Sequence, residues 1–136
     1  MNKKIRAWIV DDDSLYSQTL ADVVGMNRKV GEVRCFMSAE DALSTLHASR
    51  KPPDIIFLDI NLPGMNGLEA IEPIKDIHPD TQILLMSGTQ SREDAQMGFH
   101  RGAVGFLSKV STIDDIEGAI LNAVKLIGGA QRQRTS

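Results

Sequence analysis

Short apolar runs alternate with longer segments of helical periodicity along the chain. The runs at residues 54–58 and 82–86 are nearly continuous in Ile, Leu, Phe and Met, which is typical of strands that are covered on both faces. The run at 30–36 is interrupted by Glu32 and Arg34, so its alternation indicates a strand at the edge of a sheet. The predicted strands are residues 5–10, 30–36, 54–58, 82–86 and 104–108.

The segments between these runs carry the signals of helix starts and ends. Ser38 and Ser91 are each followed three residues later by an aspartate, a spacing that is typical of helix-start caps. The last segment has a clear apolar stripe, and the pair Gly128 and Gly129 is predicted to end its helix. The predicted helices begin near residues 14, 38, 68, 91 and 113.

Strand and helix alternating five times predict a doubly wound α/β fold, in which helices cover both faces of a five-stranded parallel sheet. With the alternating second strand at an edge and one site shared by the first and third strands, the predicted strand order is 2-1-3-4-5, the flavodoxin-like (βα)5 arrangement. The switch point of that order lies between the first and third strands. The carboxyl ends of these two strands are therefore expected to border one crevice.

Composition restricts the classes of function. At 136 residues, with 42% apolar and 24% charged residues, the chain has the size of one domain and is not of a disordered type. No apolar stretch approaches the roughly 20 residues that span a bilayer. A net charge of −3 gives no case for nucleic-acid binding by this segment. The single cysteine, Cys35, favours a reducing compartment, so a cytoplasmic location is expected. Trp8 and Cys35 are predicted to be packing residues.

Acidic residues follow two of the predicted strands. Asp11, Asp12 and Asp13 end the first apolar run, and Asp59 ends the third, ahead of a loop rich in Gly and Pro. Because the carboxyl ends of parallel strands meet at one edge, we expect these side chains to lie close together. Carboxylates in such a cluster either bind a cation or cannot all stay ionised. The pattern indicates a divalent metal beside an aspartate that can act as a nucleophile.

Two more polar side chains end strands of the same predicted sheet. Ser87 ends the fourth strand and Lys109 follows the fifth, so a hydroxyl and an ammonium join the carboxylates. A carboxylate can attack a phosphoryl group to give an acyl phosphate. Phosphoryl transfer requires positioning and charge neutralisation from the protein, and Mg²⁺ held by carboxylates can supply part of both.

With these residues in this order, the chain resembles the receiver domain of two-component response regulators, over residues 3 to about 127. The resemblance implies that Asp59 is phosphorylated with the help of Lys109 and Ser87. It also implies that Ser87 and Phe106 form a switch. The metal ligands that it implies, for Mg²⁺ as cofactor, are Asp12 directly, Asp11 through water, Asp59, and Asn61 by its backbone carbonyl.

The same resemblance implies a function in signalling. The phosphoryl donor would be a phosphohistidine of a histidine kinase or a histidine phosphotransfer protein, and phosphorylation would switch the face of the fourth helix, fifth strand and last helix. The chain would not be an enzyme in the ordinary sense, since it would act only on its own Asp59. The segment GFLSKVSTIDDIEGAI is similar to receivers that precede a LuxR-type helix-turn-helix. Residues 1–127 are expected to form the receiver, and 128–136 a tail or the start of a linker to a DNA-binding domain; homodimer formation stays open.

Some positions depart from the family pattern, and two alternatives stay open. Val110 follows Lys109 where the family often has proline, so a trans bond is expected there. Pro73 lies inside the third helix and predicts a kink or a shortened helix. One alternative function is a phosphorylation-independent interaction module of the same fold. The other is a small-molecule phosphatase, which Asn61 disfavours because such enzymes usually carry an aspartate at that position.

Overall fold

Five strands alternate with five helices in the computed structural model, which describes residues 3–89 and 91–135, the last eight of them by their backbone alone. The strands are β1 (Ile5–Val10), β2 (Val30–Phe36), β3 (Ile55–Asp59), β4 (Gln82–Ser87) and β5 (Gly105–Ser108). The helices are α1 (Ser14–Gly25), α2 (Ala39–Ala48), α3 (Gly67–Ile77), α4 (Arg92–Arg101) and α5 (Ile113–Thr135).

The strands pair in parallel in the order β2-β1-β3-β4-β5, which confirms the predicted fold and strand order. The chain leaves β1 for β2 on one side and continues with β3 on the other, so the switch point lies between β1 and β3. Val10 pairs with Leu58 across this point, and Asp59 pairs with Met86 of β4. The carboxyl ends of these three strands therefore lie level at one edge of the sheet.

Alternate strand residues form two core layers, one on each face of the sheet. Trp8 and Leu58 lie in the layer that α2 and α3 cover, whereas Ile9 and Phe57 lie in the layer that α1 and α5 cover. None of these four side chains is more than 2% exposed. The central strands are thus buried on both faces, as their apolar runs predict. By contrast, β2 lies at the edge and has four exposed residues among its seven.

Polar side chains begin the first four helices by accepting a hydrogen bond from a backbone N–H three residues further along the chain. Ser38 and Ser91 do so for α2 and α4, which confirms the predicted caps. Asp13 caps α1 in the same way. Asn66 begins α3 in a reciprocal capping box with Glu69, a start that was not predicted.

The last helix is longer than the sequence predicts. The backbone of α5 continues from Ile113 to Thr135 through Gly128 and Gly129, so the predicted end at this pair is wrong. A glycine ends a helix when its backbone turns left-handed, as Gly102 does after α4 with a φ of 121°. Inside a helix, a glycine costs only about 1 kcal/mol, which the rest of a long helix can offset.

Pro73 lies inside α3 without shortening it, since the helix runs on to Ile77. Of the two predicted effects, the shortening is therefore contradicted, and the kink stays a prediction. All peptide bonds of the described residues are trans, and the bond between Lys109 and Val110 has the expected form. In the same part of the chain, every helix is too short or too polar to cross a membrane.

Candidate functional site

Polar residues from four strand ends come together at the carboxyl edge of the sheet. Asp11 directly follows β1, Asp59 ends β3, Ser87 ends β4, and Lys109 directly follows β5. The backbone N–H of Lys109 donates to the carbonyl of Ser87 at 2.9 Å, which continues the pairing of the two strands beyond their ends. The fold thus brings these four predicted site residues to one rim of the sheet, which includes the switch point between β1 and β3.

Three carboxylates form the acidic part of the crevice. Oxygen atoms of Asp11, Asp12 and Asp59 lie within 4.8 Å of one another. Asp11 and Asp59 are only 1% and 2% exposed, whereas Asp12 is exposed. Asp13 lies outside this group because its carboxylate caps α1. The cluster is therefore buried on the side of the sheet and open to solvent at Asp12.

Lys109 bridges the two buried carboxylates. Its Nζ lies 2.7 Å from Oδ2 of Asp11 and donates to Oδ2 of Asp59 at 3.1 Å. The side chain is 21% exposed, so water can reach part of the ammonium. The pairing of β4 with β5 sets where Lys109 leaves the sheet, and the two ion pairs set where its charge lies.

Backbone amides hold the second oxygen of each buried carboxylate. The N–H of Asp13 donates to Oδ1 of Asp11 at 2.9 Å, and the N–H of Asn61 donates to Oδ1 of Asp59 at 3.0 Å. In both cases the donor lies two residues beyond the carboxylate, so the loop after each strand folds back over it. These bonds fix the carboxylate orientations and place the backbone of Asn61 beside Asp59.

Burial and neighbouring charges change the pKa values of two groups in the crevice. Burial raises the pKa of Asp11 above its ordinary 3.8, and the charge of Asp59 adds to the rise; the ion pair with Lys109 and the hydrogen bond from Asp13 offset only part of it. Burial alone would lower the pKa of Lys109, but the bonds and charges of Asp11 and Asp59 outweigh it. The pKa of Lys109 is therefore above its ordinary 10.5, and the ammonium stays protonated at neutral pH.

Tyr16 also contacts this ammonium, and it was not identified from the sequence. The Nζ of Lys109 lies 5.0 Å from the centroid of the tyrosine ring, within the range of a cation–π interaction. The ring is half-buried against the core layer beneath α1, and burial raises the pKa of the phenol above 10.0. The available signal was an aromatic residue in the first turn of the helix that follows the acidic triplet.

Ser87 is buried at the same edge, but its hydroxyl bonds to its own loop. Its Oγ accepts a hydrogen bond from the N–H of Thr89 at 3.1 Å and lies 3.3 Å from the Thr89 hydroxyl. Ser87 is the residue after Met86, which pairs with Asp59. The serine is therefore near the end of β3 by position, while its side chain is directed to the loop after β4.

Phe106 lies on β5 outside the carboxylate cluster. Its half-buried ring packs against the core layer that α2 and α3 cover. It also lines an open cavity of about 460 Å³ together with Ser91, Arg92, Ala95 and Ser108. The residue that the resemblance assigns to the switch thus borders open space between α4 and β5.

The donor atoms at the crevice suit a hard divalent cation. Mg²⁺ prefers oxygen ligands and is commonly held by one or two carboxylates while it keeps several waters. Within the described residues, the buried Oδ2 of Asp11 has its ionic contact with Lys109 but accepts no hydrogen bond of good geometry. The exposed side of the cluster at Asp12 leaves room for water. Asp11, Asp12 and Asp59 therefore fit such a cation.

Comparison with known protein families gives a match over most of the chain. The family described as "Response regulator receiver domain" matches residues 7–121. The DNA-binding transcriptional regulator NtrC of Proteus hauseri is 30% identical over 122 residues, which are 90% of this chain and 25% of that protein. The protein-glutamate methylesterase/protein-glutamine glutaminase 2 of Paramagnetospirillum magneticum is 34% identical over 110 residues, 81% of this chain and 30% of that protein. The chain thus spans about a quarter to a third of these relatives.

Solved structures share the fold. A two-component response regulator of the LuxR family from Aurantimonas sp. SI85-9A1 has a TM-score of 0.81 and 25% identity, over 93% of this chain and 87% of that one. A response regulator from Burkholderia pseudomallei, solved with a phosphorylated aspartic acid, a calcium ion and citrate, has a TM-score of 0.76 and 26% identity. The second match covers 96% of this chain and 75% of the other. The likeness to both structures therefore extends over nearly the whole chain.

Proposed function

The chain belongs to the response regulator receiver domain family, and on that premise we propose that it accepts a phosphoryl group on Asp59 from the phosphohistidine of a partner. The partner is a histidine kinase or a histidine phosphotransfer protein. The observation that carries this proposal is the buried Asp59 carboxylate, 3.1 Å from a protonated lysine and within 4.8 Å of two further carboxylates. Such an arrangement offers both a nucleophile and the means to neutralise a phosphoryl group.

Asp59 is the nucleophile in this proposal. One of its carboxylate oxygens forms a bond to phosphorus while the bond between phosphorus and the partner's imidazole nitrogen breaks, and the electron pair of that bond stays on the nitrogen. The amide of Asn61 fixes the plane of the carboxylate during the attack. A bound Mg²⁺, held by Asp11, Asp12, Asp59 and the carbonyl of Asn61, would supply positive charge beside the phosphoryl oxygens.

Lys109 and Ser87 assist at the phosphoryl oxygens. The phosphoryl group of the product carries about −1.5 to −2 charges at neutral pH. The ammonium that now contacts Oδ2 of Asp59 is close enough to pair with a phosphoryl oxygen after a small shift. Rotation of the Ser87 side chain away from Thr89 would free its hydroxyl to donate to another of these oxygens.

In this proposal, movement of Ser87 affects Phe106, because the two residues lie at nearby positions of the paired strands β4 and β5. Phe106 pairs with Leu85, two residues before Ser87, and its ring borders the cavity beside α4. We propose that phosphorylation shifts the population between two arrangements of the face built from α4, β5 and α5. A partner that binds one arrangement better than the other then receives the signal.

Treatment with a small phosphodonor tests the acceptor. Incubation with acetyl phosphate and Mg²⁺ should add the mass of one phosphoryl group, and Asp59→Asn should abolish the gain. Asp76→Asn changes an exposed aspartate of α3 and should leave the gain intact, which makes it the matched control. A gain that survives Asp59→Asn refutes the assignment. Equal binding of a partner protein by the wild type and by Asp59→Asn would support the phosphorylation-independent module instead.

The output of the signal is a separate proposal. Residues 1–127 are proposed to be the receiver unit, and 128–136 the start of a linker to a DNA-binding domain of LuxR type. The similarity of the segment from β5 into α5 to such receivers and the match to a LuxR-family regulator support this. The name of the methylesterase relative, by contrast, indicates a different output. The gene sequence beyond Ser136 decides the question: a helix-turn-helix supports the proposal, and a methylesterase domain or a stop codon contradicts it.

A further inference from the structure

Tyr16 is a side chain of the crevice to which the proposed chemistry gives no role. Its ring adds a third contact to an ammonium that already pairs with Asp11 and Asp59. We propose that Tyr16 is a positioning residue, which holds the Lys109 ammonium beside Asp59 and thereby sets the rate at which Asp59 accepts a phosphoryl group. This inference rests on the proposed function for its effect on rate, and on geometry alone for the contact.

The ring is fixed independently of the lysine. The N–H of Tyr16 donates to the helix-capping carboxylate of Asp13 at 3.1 Å, which places the residue in the first turn of α1. The ring itself packs against the core layer beneath that helix. A lysine side chain is a point charge on a flexible stem and loses rotamer entropy when it is held in one place. A rigid aromatic face beside the ammonium reduces the positions open to it before the reaction begins.

The contact with the ring also differs in kind from the two ion pairs. Each ion pair uses a carboxylate oxygen, and the Asp59 carboxylate changes when the phosphoryl group is attached to it. The attraction between an ammonium and an aromatic face uses none of these oxygens. The ring can therefore keep its hold on Lys109 while the ammonium moves from a carboxylate oxygen to a phosphoryl oxygen. The face of the ring is what matters, so the phenol hydroxyl should be dispensable.

Side-chain NMR tests the contact without any catalysis. The ring current of Tyr16 should move the ε-methylene proton resonances of Lys109 upfield in the wild type and in Tyr16→Phe, which keeps the aromatic face. In Tyr16→Leu, which keeps an apolar side chain but removes the aromatic ring, the resonances should return to ordinary lysine positions. Ordinary positions in the wild type would overturn the inference, whatever the phosphorylation assay shows.

Phosphorylation rates test the consequence of the contact. With acetyl phosphate and Mg²⁺, the rate of Asp59 phosphorylation should fall about three- to tenfold in Tyr16→Leu, as expected for one partly desolvated cation–π contact. Tyr16→Phe, which keeps the aromatic face, should retain the wild-type rate. In a Lys109→Met background, Tyr16→Leu should cause no further loss, because the ring acts through the ammonium.

Three outcomes separate this inference from its alternatives. A loss of rate in Tyr16→Phe, or additive losses in the double variant, would overturn it. Urea unfolding of each variant should show that it stays folded under the assay conditions, so that a lower phosphorylation rate does not arise from unfolding. If the wild type itself is not phosphorylated, the proposed function fails, and the NMR experiment still decides whether Tyr16 holds Lys109.

Discussion

At the scale of single residues, Asp11 shows how the site opposes the stability of the fold. Its carboxylate is 1% exposed and lies beside the charge of Asp59. Burial is the main reason that its pKa is raised, so its ionised form is disfavoured in the folded protein even with Lys109 at 2.7 Å. A carboxylate in this state gains when a divalent cation neutralises it.

Replacing Asp11 by asparagine should therefore stabilise the protein at neutral pH in the absence of divalent cations. The neutral amide keeps the shape of the side chain and removes the disfavoured charge, so the free energy of unfolding should rise by on the order of 1 kcal/mol. Urea unfolding measures the change. The control Asp76→Asn, at an exposed position, should stay within about 0.5 kcal/mol of the wild type. A clear loss of stability in Asp11→Asn would contradict this account.

The pH dependence of this difference has a definite sign. Because the pKa of Asp11 in the folded protein is above its ordinary 3.8, the folded state binds this proton more tightly than the unfolded state. The resulting stability is fully present below pH 3.8 and is lost as the pH rises through the folded pKa. The advantage of Asp11→Asn should thus be small below pH 3.8 and grow above it. An advantage that is constant with pH would exclude the titration of Asp11 as its cause.

At the scale of elements, the start of α3 is built onto the end of β3. A Cβ atom at Gly67 would overlap the backbone carbonyl of Asp59, so only glycine allows this close approach. The N–H of Gly67 donates to the carbonyl of Ile60 at 3.1 Å. The capping box of Asn66 and Glu69 begins the helix at the same point. The loop after β3 is therefore fixed by backbone packing as well as by hydrogen bonds.

Gly67→Ala should accordingly destabilise the protein and slow the phosphorylation of Asp59. The added methyl group forces the two backbones apart, at a cost of about 1–3 kcal/mol in the free energy of unfolding. Gly118→Ala is the matched control, because its Cβ would enter open space on α5, and it should stabilise by about 0.5–1 kcal/mol. Urea unfolding and the acetyl phosphate assay measure both effects. If Gly67→Ala matched Gly118→Ala in both its free energy of unfolding and its phosphorylation rate, the close approach of Gly67 to Asp59 would have no consequence.

At the scale of the whole molecule, the sequence predicts the architecture because the apolar and polar residues of each strand indicate whether it is buried or lies at an edge. The polar positions Glu32 and Arg34 indicate the edge position of β2, and the structure confirms it. The acidic strand ends at Asp11 and Asp59 favour an order with β1 beside β3, and the structure confirms that order. Once the strands are parallel and in register, the meeting of Asp11, Asp59 and Lys109 follows from topology.

The features that the sequence does not predict depend on neighbours distant in the chain. Cys35 was predicted to pack, but it is exposed because β2 pairs on one side only and leaves most of its residues to solvent. The contact of Tyr16 with Lys109 joins the first helix to the residue that follows the last strand, and no local pattern indicates it. The continuation of α5 through Gly128 was missed for another reason, since a glycine ends a helix only where its backbone turns left-handed, and the residue type alone does not show that.

Because its proposed ligands come from two strands, Mg²⁺ should stabilise the entire fold. A ligand that binds only the folded state adds about 2.7 kcal/mol at a hundred times its dissociation constant. The midpoint of thermal unfolding should rise with Mg²⁺ and return with EDTA. Asp12→Asn should remove the response, and since Asp12 is exposed, it should leave the metal-free midpoint nearly unchanged. An equal response in Asp12→Asn would place the cation elsewhere.

The two rims of the sheet carry different residues and connections. The carboxylates and Lys109 lie at the carboxyl rim, and the segments that lead from helices back into strands, such as residues 49–54, lie at the opposite one. A strand of six residues separates the rims by about 20 Å. A fluorescent tag or a new pair of chain termini introduced at residues 49–51 would therefore leave the chemistry untouched. A reporter attached at the far rim should therefore leave the carboxylates and Lys109 at the near rim in place.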